Sequence, residues 1–123
     1  MNIQLDGKNV GFSNGSGHPA EEAPAIFFVH GAGMDHTVWV MPARYFARHG
    51  YRVMAVDLPG HGKSEGPALD SVDTMADWLS RLIETSAAQA SDVTVIGHSM
   101  GSLVCMSLAA RYPALIDQLV LLG

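Results

Sequence analysis

The 123-residue chain has one cysteine, Cys105, which excludes an internal disulfide framework. It is poor in positive charge: seven Lys and Arg face twelve Asp and Glu, for a net charge of −5. No basic cluster is present to neutralise phosphates, so nucleic acid is not an expected partner. No apolar run approaches the roughly 18 residues that a membrane span requires. Residues 1–10 mix polar and charged side chains and lack the apolar stretch of a secretory signal. A cytoplasmic location is the expectation from these absences. Repeats and low-complexity tracts are lacking as well. Charged residues make up only 15% of the chain and hydrophobic residues 48%, too apolar for disorder and enough for a substantial core.

What is present is a regular alternation of elements. Asn2 to Phe12 reads as two short strands turning at Asp6-Gly7. Ser13 to Pro24, rich in Gly, Ser, Pro and Glu, reads as a loop. Three apolar runs follow, Ala25 to Val29, Arg52 to Val56 and Val93 to Ile96, each suited to a strand buried on both faces. Between them, Thr37 to Arg48 reads as a helix stopped near His49-Gly50, with Pro42 tolerable only near its first turn. Val72, Met75, Ala76, Leu79, Leu82 and Ile83 recur at helical spacing behind a cap at Asp70 or Ser71, with Asp73 suited to the positive end. Leu103 to Tyr112 is apolar nearly all round, which predicts a central, covered helix stopped by Pro113. Gln118 to Leu122 reads as a fourth strand. Strands alternating with helices through short loops predict an α/β fold, a mostly parallel sheet with helices on both faces.

The chemistry centres on Gly97-His98-Ser99-Met100-Gly101, a G-x-S-x-G sequence set between a strand and a helix. That setting is the one a nucleophile elbow requires. A serine on so tight a turn is held in a strained backbone and lifted above the carboxyl edge of the sheet, where open α/β sheets bind ligands. Gly97 and Gly101 clear space for the turn and for close helix–strand packing. The unpaired N–H groups of the following helix favour negative charge, so the Met100 N–H is placed to stabilise an oxyanion. The alternative is a glycine-rich structural turn with a capping serine. His30-Gly31-Ala32-Gly33 follows the first buried strand, and its glycines let backbone N–H groups approach a substrate; an ordinary strand-end turn is the alternative there. Asp57-Leu58-Pro59-Gly60-His61-Gly62-Lys63-Ser64 follows the second.

These three segments, in this order along nearly the whole chain, resemble the α/β-hydrolase superfamily, most of all its esterase, lipase and C–C bond hydrolase branch with a helical cap. The resemblance implies that Ser99 is the nucleophile of a serine hydrolase acting on an ester or related acyl substrate. It implies that Ala32, with Gly33 next, supplies the second oxyanion N–H. His30, Gly31, Gly33, Gly97, His98 and Gly101 then belong to the structural motif. Asp57 and His61 are structural in that family, and Trp39 serves loop and helix packing. Serine in place of aspartate at the elbow argues against haloalkane dehalogenase and epoxide hydrolase chemistry.

The chain departs from the pattern after Ser99. The family order is Ser, then Asp or Glu, then His, yet only Asp117 follows as an acid, and no histidine follows at all. Asp117 precedes the last strand and so falls at the wrong end of the sheet. The expectation is the N-terminal part of a single α/β-hydrolase domain, 1–123, truncated after the strand that follows the elbow helix, without its cap and C-terminal part. Such a chain has little activity alone. It would be an incomplete fragment, a non-enzymatic acyl-binding scaffold, or half of a two-chain hydrolase. Its apolar last strand would form an unpaired sheet edge that invites self-association. Histidines within the chain are poor substitutes for the missing base. His98 should point away from Ser99, and His18, His36 and His49 read as loop or helix-end residues. Cys105 reads as a core hydrophobe. No His, Cys and carboxylate set has metal-ligand spacing and no phosphate-binding glycine loop occurs, so neither metal nor cofactor is expected.

Overall fold

The computed structural model describes residues 1–123. Six strands, β1 (Asn2–Leu5), β2 (Lys8–Ser13), β3 (Ala25–Val29), β4 (Arg52–Val56), β5 (Val93–His98) and β6 (Gln118–Leu122), form one sheet. Their spatial order is β1-β2-β4-β3-β5-β6. β1 and β2 are an antiparallel hairpin, and β2 runs antiparallel to β4. The pairs β4–β3, β3–β5 and β5–β6 are parallel. The hairpin turns at Asp6 and Gly7, both at positive φ (53° and 78°), the backbone that two-residue hairpin loops demand.

Three α-helices cover the sheet: α1 (Val40–Arg48), α2 (Val72–Ser86) and α3 (Met100–Arg111). Side chains alternate along each strand, so the two faces hold separate cores. Phe27, Val29, Met54, Val56 and Val95 face α2 and α3. Ile26, Phe28, Val53 and Ala55 face Trp39 and Ala43 on the α1 side. The Trp39 ring packs 4.9 Å from that of Phe28, a packing role consistent with its position in the motif.

Ser71 caps α2 by accepting the Thr74 N–H at 3.1 Å. The segment read as one helix from Thr37 is divided: a 3-10 turn, His36–Trp39, precedes α1. Pro42 then falls in the first turn of α1, where its missing N–H costs nothing. β5 runs two residues beyond the expected end, through Gly97 and His98, because both remain paired with Leu121 and Leu122 of β6.

The larger correction concerns α3. It begins at Met100 rather than Leu103, and it is not covered all round. Gly101, Val104, Cys105 and Leu108 form its one buried stripe, whereas Leu103 and Met106 are 52% and 49% exposed. Its packed sides meet β5, β6 and α2, and within these residues nothing packs over the opposite face. Within residues 1–123, uniform apolarity therefore does not translate into uniform burial.

Candidate active site

β5 and α3 meet at Ser99 with no intervening loop residue. Ser99 has φ 57° and ψ −121°, a conformation that costs an L-residue roughly 1–3 kcal/mol. Neighbouring contacts hold it there. Its N–H donates to the Leu122 carbonyl at 3.1 Å. Its own carbonyl accepts the Ser102 N–H at 2.9 Å and the Ser102 Oγ–H at 2.6 Å. The Ser99 side chain is exposed at the carboxyl end of β5. Any side chain at the flanking glycines would break this junction. A Cβ at Gly101 would strike the Val29 carbonyl and come within 2.6 Å of the His30 carbonyl oxygen. A Cβ at Gly97 would strike the Gly101 carbonyl and come within 2.7 Å of the Ser102 Cα.

The loop after β3 lies beside it. Its Met34 N–H donates to the Gly31 carbonyl at 3.2 Å, closing a turn over Ala32 and Gly33. Gly33 stands at φ 72°, which suits a residue without Cβ. Gly31 is buried, and a Cβ built on it would lie 3.2 Å from the Ser99 Cβ. The β3 loop and the elbow are therefore in contact, with Ala32 and Gly33 exposed above them and Met100 opening α3 on the other side.

His30 is fully buried. Its Nδ1–H donates to the Gly31 carbonyl at 2.7 Å, and its Nε2 accepts the Leu58 N–H at 3.1 Å. This pattern requires the neutral ring. Burial lowers its pKa below the ordinary imidazole value, against the opposing pull of the Gly31 hydrogen bond. The His61 ring lies 5.0 Å away and hydrogen-bonds through Nδ1 to the Pro59 carbonyl. His49 bonds the Tyr45 carbonyl, four residues back at the end of α1. His98, half-buried, ends β5 opposite Leu122.

Sequence reasoning missed the latch between the two loops. The buried Asp57 carboxylate accepts the His36 N–H at 2.7 Å, the His36 Nδ1–H at 2.9 Å and the Lys63 N–H at 2.9 Å. Its backbone carbonyl accepts the Ser64 Oγ–H at 2.6 Å. One carboxylate thus ties the β3 loop to the β4 loop. The traces in the sequence are the glycines at 62 and 11, where a Cβ would crowd the Asp57 side chain.

Asp35, His36 and Asp57 place ligand-type atoms within 4.8 Å of one another, a cluster absent from the sequence reading because it spans two loops. These groups already have partners. Asp35 accepts the Thr37 N–H at 2.9 Å and its Oγ1–H at 2.5 Å, and Asp57 is engaged as above.

Asp117 accepts the Val93 N–H at 2.8 Å. It therefore stands where β5 begins, at the opposite edge from Ser99. Cys105 is fully buried, and burial pushes its thiol up to about 12, as a core residue rather than a nucleophile. A hollow of about 510 Å³ is also remote from Ser99. Phe12, His18, Arg52 and Ser86 line it, where β4 starts and α2 ends.

A family profile described as the alpha/beta hydrolase fold matches residues 24–123. The chain is 33% identical over 113 residues to the (E)-2-((N-methylformamido)methylene)succinate hydrolase of Acinetobacter baylyi, covering 91% of this chain and 40% of that protein. Among solved structures it superposes on the N-formylmaleamic acid deformylase of Pseudomonas putida with a TM-score of 0.78 at 27% identity, covering 98% of this chain and 45% of that one. It also superposes on a thioesterase domain from the curacin biosynthetic pathway, with a TM-score of 0.80 at 28% identity, covering 98% and 44%. The chain thus spans less than half the length of each of these proteins. No helix is long and apolar enough to cross a membrane. Matched over 100 residues and built on the same sheet with a serine at the turn from β5 into α3, the chain belongs to the α/β-hydrolase fold family.

Proposed function

We propose that residues 1–123 are the nucleophile-bearing, N-terminal part of one serine-hydrolase domain that acts on carboxylic esters or related acyl compounds. The observation that carries this reading is the backbone of Ser99, φ 57° and ψ −121°, at a glycine-flanked turn that leaves its side chain exposed. A strained serine of this kind is hard to account for by packing alone.

In the proposed reaction, Ser99 Oγ attacks the carbonyl carbon and its proton passes to a general base. The resulting oxyanion rests on the N–H groups of Met100 and Ala32. Collapse expels the alcohol, which takes a proton from the base, and leaves an acyl group on Ser99. Water then attacks, delivering the carboxylic acid and restoring the hydroxyl. The reading assigns the base to a part of the domain outside these 123 residues, in keeping with a chain that spans less than half the length of its relatives; His30, His36, His49 and His61 each commit a ring nitrogen to a partner other than Ser99. The 123-residue chain alone is accordingly expected to bind acyl compounds without turning them over.

The test is labelling by a fluorophosphonate in the intact gene product and in residues 1–123 alone. Rapid labelling of the first, abolished by Ser99→Ala, with slow or no labelling of the second, is the expected result. Labelling of the intact protein that persists in Ser99→Ala would overturn the assignment.

The four exposed apolar residues Leu119 to Leu122 on β6 support self-association of residues 1–123 through this unpaired edge. Sedimentation over a concentration series tests this, with a purely monomeric species counting against it.

A further inference from the structure

The turn after β3 sets one more side chain at the nucleophile. A Cβ built on Gly31 would lie 3.2 Å from Ser99 Cβ, 3.4 Å from Met34 Sδ and 3.5 Å from the His98 carbonyl oxygen. Ser99 and Met34 thus both lie against Gly31. The polar neighbours on the same turn are tied off elsewhere. Asp35 is held by Thr37 and His36 by Asp57. Met34 is left 38% exposed on the turn that touches Ser99. The hydrogen bond from its N–H to the Gly31 carbonyl places it through the same turn that carries Ala32. Its unbranched thioether is polarizable and moulds itself to apolar groups of different shape.

We infer that Met34 is a specificity-determining residue, its thioether packing against the apolar substituent of an ester held at Ser99. The inference rests on the serine-hydrolase reading above. A substituent long enough to reach the thioether gains contact in the transition state, and a short one does not. One or two methylene-sized contacts in an apolar site separate substrates by about tenfold or more. Because the turn flanks the attacked carbonyl, the contacting group is either the acyl chain or the alcohol chain, and two substrate series distinguish them.

The experiment measures kcat/KM of the intact gene product on p-nitrophenyl acetate and octanoate, and on ethyl and octyl acetate. Met34→Ala is expected to change the long-to-short ratio about tenfold in one of the two series. Met34→Leu, similar in volume and apolarity, should leave it within about twofold. Met34→Gln, equal in length but polar, should lower the long substrate relative to the short one, and it keeps the test open if the alanine variant folds poorly. Ratios unchanged in both series for Met34→Ala and Met34→Gln, with turnover still abolished by Ser99→Ala, overturn the inference and leave the serine reading standing. Turnover that survives Ser99→Ala overturns both.

Discussion

β3 and β6 are both five-residue apolar strands, AIFFV and QLVLL, and both pair in parallel with β5. Every residue of β3 is buried, while Leu119 to Leu122 of β6 are each 39–43% exposed. Their sequences are equally suited to a sheet interior. Within residues 1–123 the difference lies in their neighbours. β3 has β4 on its other side, α1 over one face and α2 and α3 over the other. β6 has β5 on one side and only α3 against its face. Hydropathy thus marks a strand that can be buried; tertiary contacts decide whether it is.

The largest expected effect exploits this contrast directly. Phe27→Ala in β3 removes a fully buried ring and is expected to cost about 4 kcal/mol, whereas Leu121→Ala in β6 should cost less than about 1 kcal/mol. Urea unfolding of the two variants measures both, and comparable losses would show that β6 is packed after all. Next comes Gly101→Ala, which drives a methyl group into the Val29 carbonyl where α3 crosses β3. A loss of about 3 kcal/mol is expected even though alanine is the better helix former. A stabilised variant would mean that α3 rides higher over β3.

The elbow is expected to respond in the opposite direction. Ser99→Gly releases the backbone strain and should raise stability by about 1 kcal/mol, net of the entropy that glycine adds to the unfolded chain. Ser99→Ala keeps the Cβ and should gain nothing. If the two variants melt alike, the turn holds no strain.

The smallest effect concerns the α2–α3 contact beside β6. Asp77 accepts from Tyr112 Oη at 2.5 Å and from Arg111 Nη2 at 2.8 Å. These partners, the Tyr112 hydroxyl first, hold its carboxyl below the ordinary aspartate value. A depressed folded pKa stabilises the fold above the unfolded value and loses that stabilisation as pH falls through the folded one. The thermal midpoint should therefore decline below about pH 4, more shallowly in Asp77→Asn. The group is only half-buried and open to solvent screening, so the change is small. Identical acid slopes would remove Asp77 as its source.

Much of this contrast was legible beforehand. Val29-to-His30 and Ile96-to-Gly97 mark the places where apolar runs stop and glycines begin, so the end of β3 and the elbow could be located from local pattern, whereas β5 runs on through Gly97 and His98 by pairing with β6. The exposed side of α3 could not, because Leu103 and Cys105 look alike to a hydropathy profile and are separated only by which of them meets β5 or α2. Nor could the Asp57–His36 latch, whose partners are 21 residues apart, or the approach of Met34 to Ser99, which depends on β3 and β5 lying side by side.

By itself, the sequence determined the succession of strands and helices, the hairpin at Asp6-Gly7 and the serine between two glycines, because those features rest on backbone preference and periodicity within a few residues. Only the tertiary structure decided which apolar residues are covered, which polar groups are already paired and which side chains are brought near Ser99. Burial, hydrogen bonding across loops and steric approach are properties of segments brought together from distant parts of the chain.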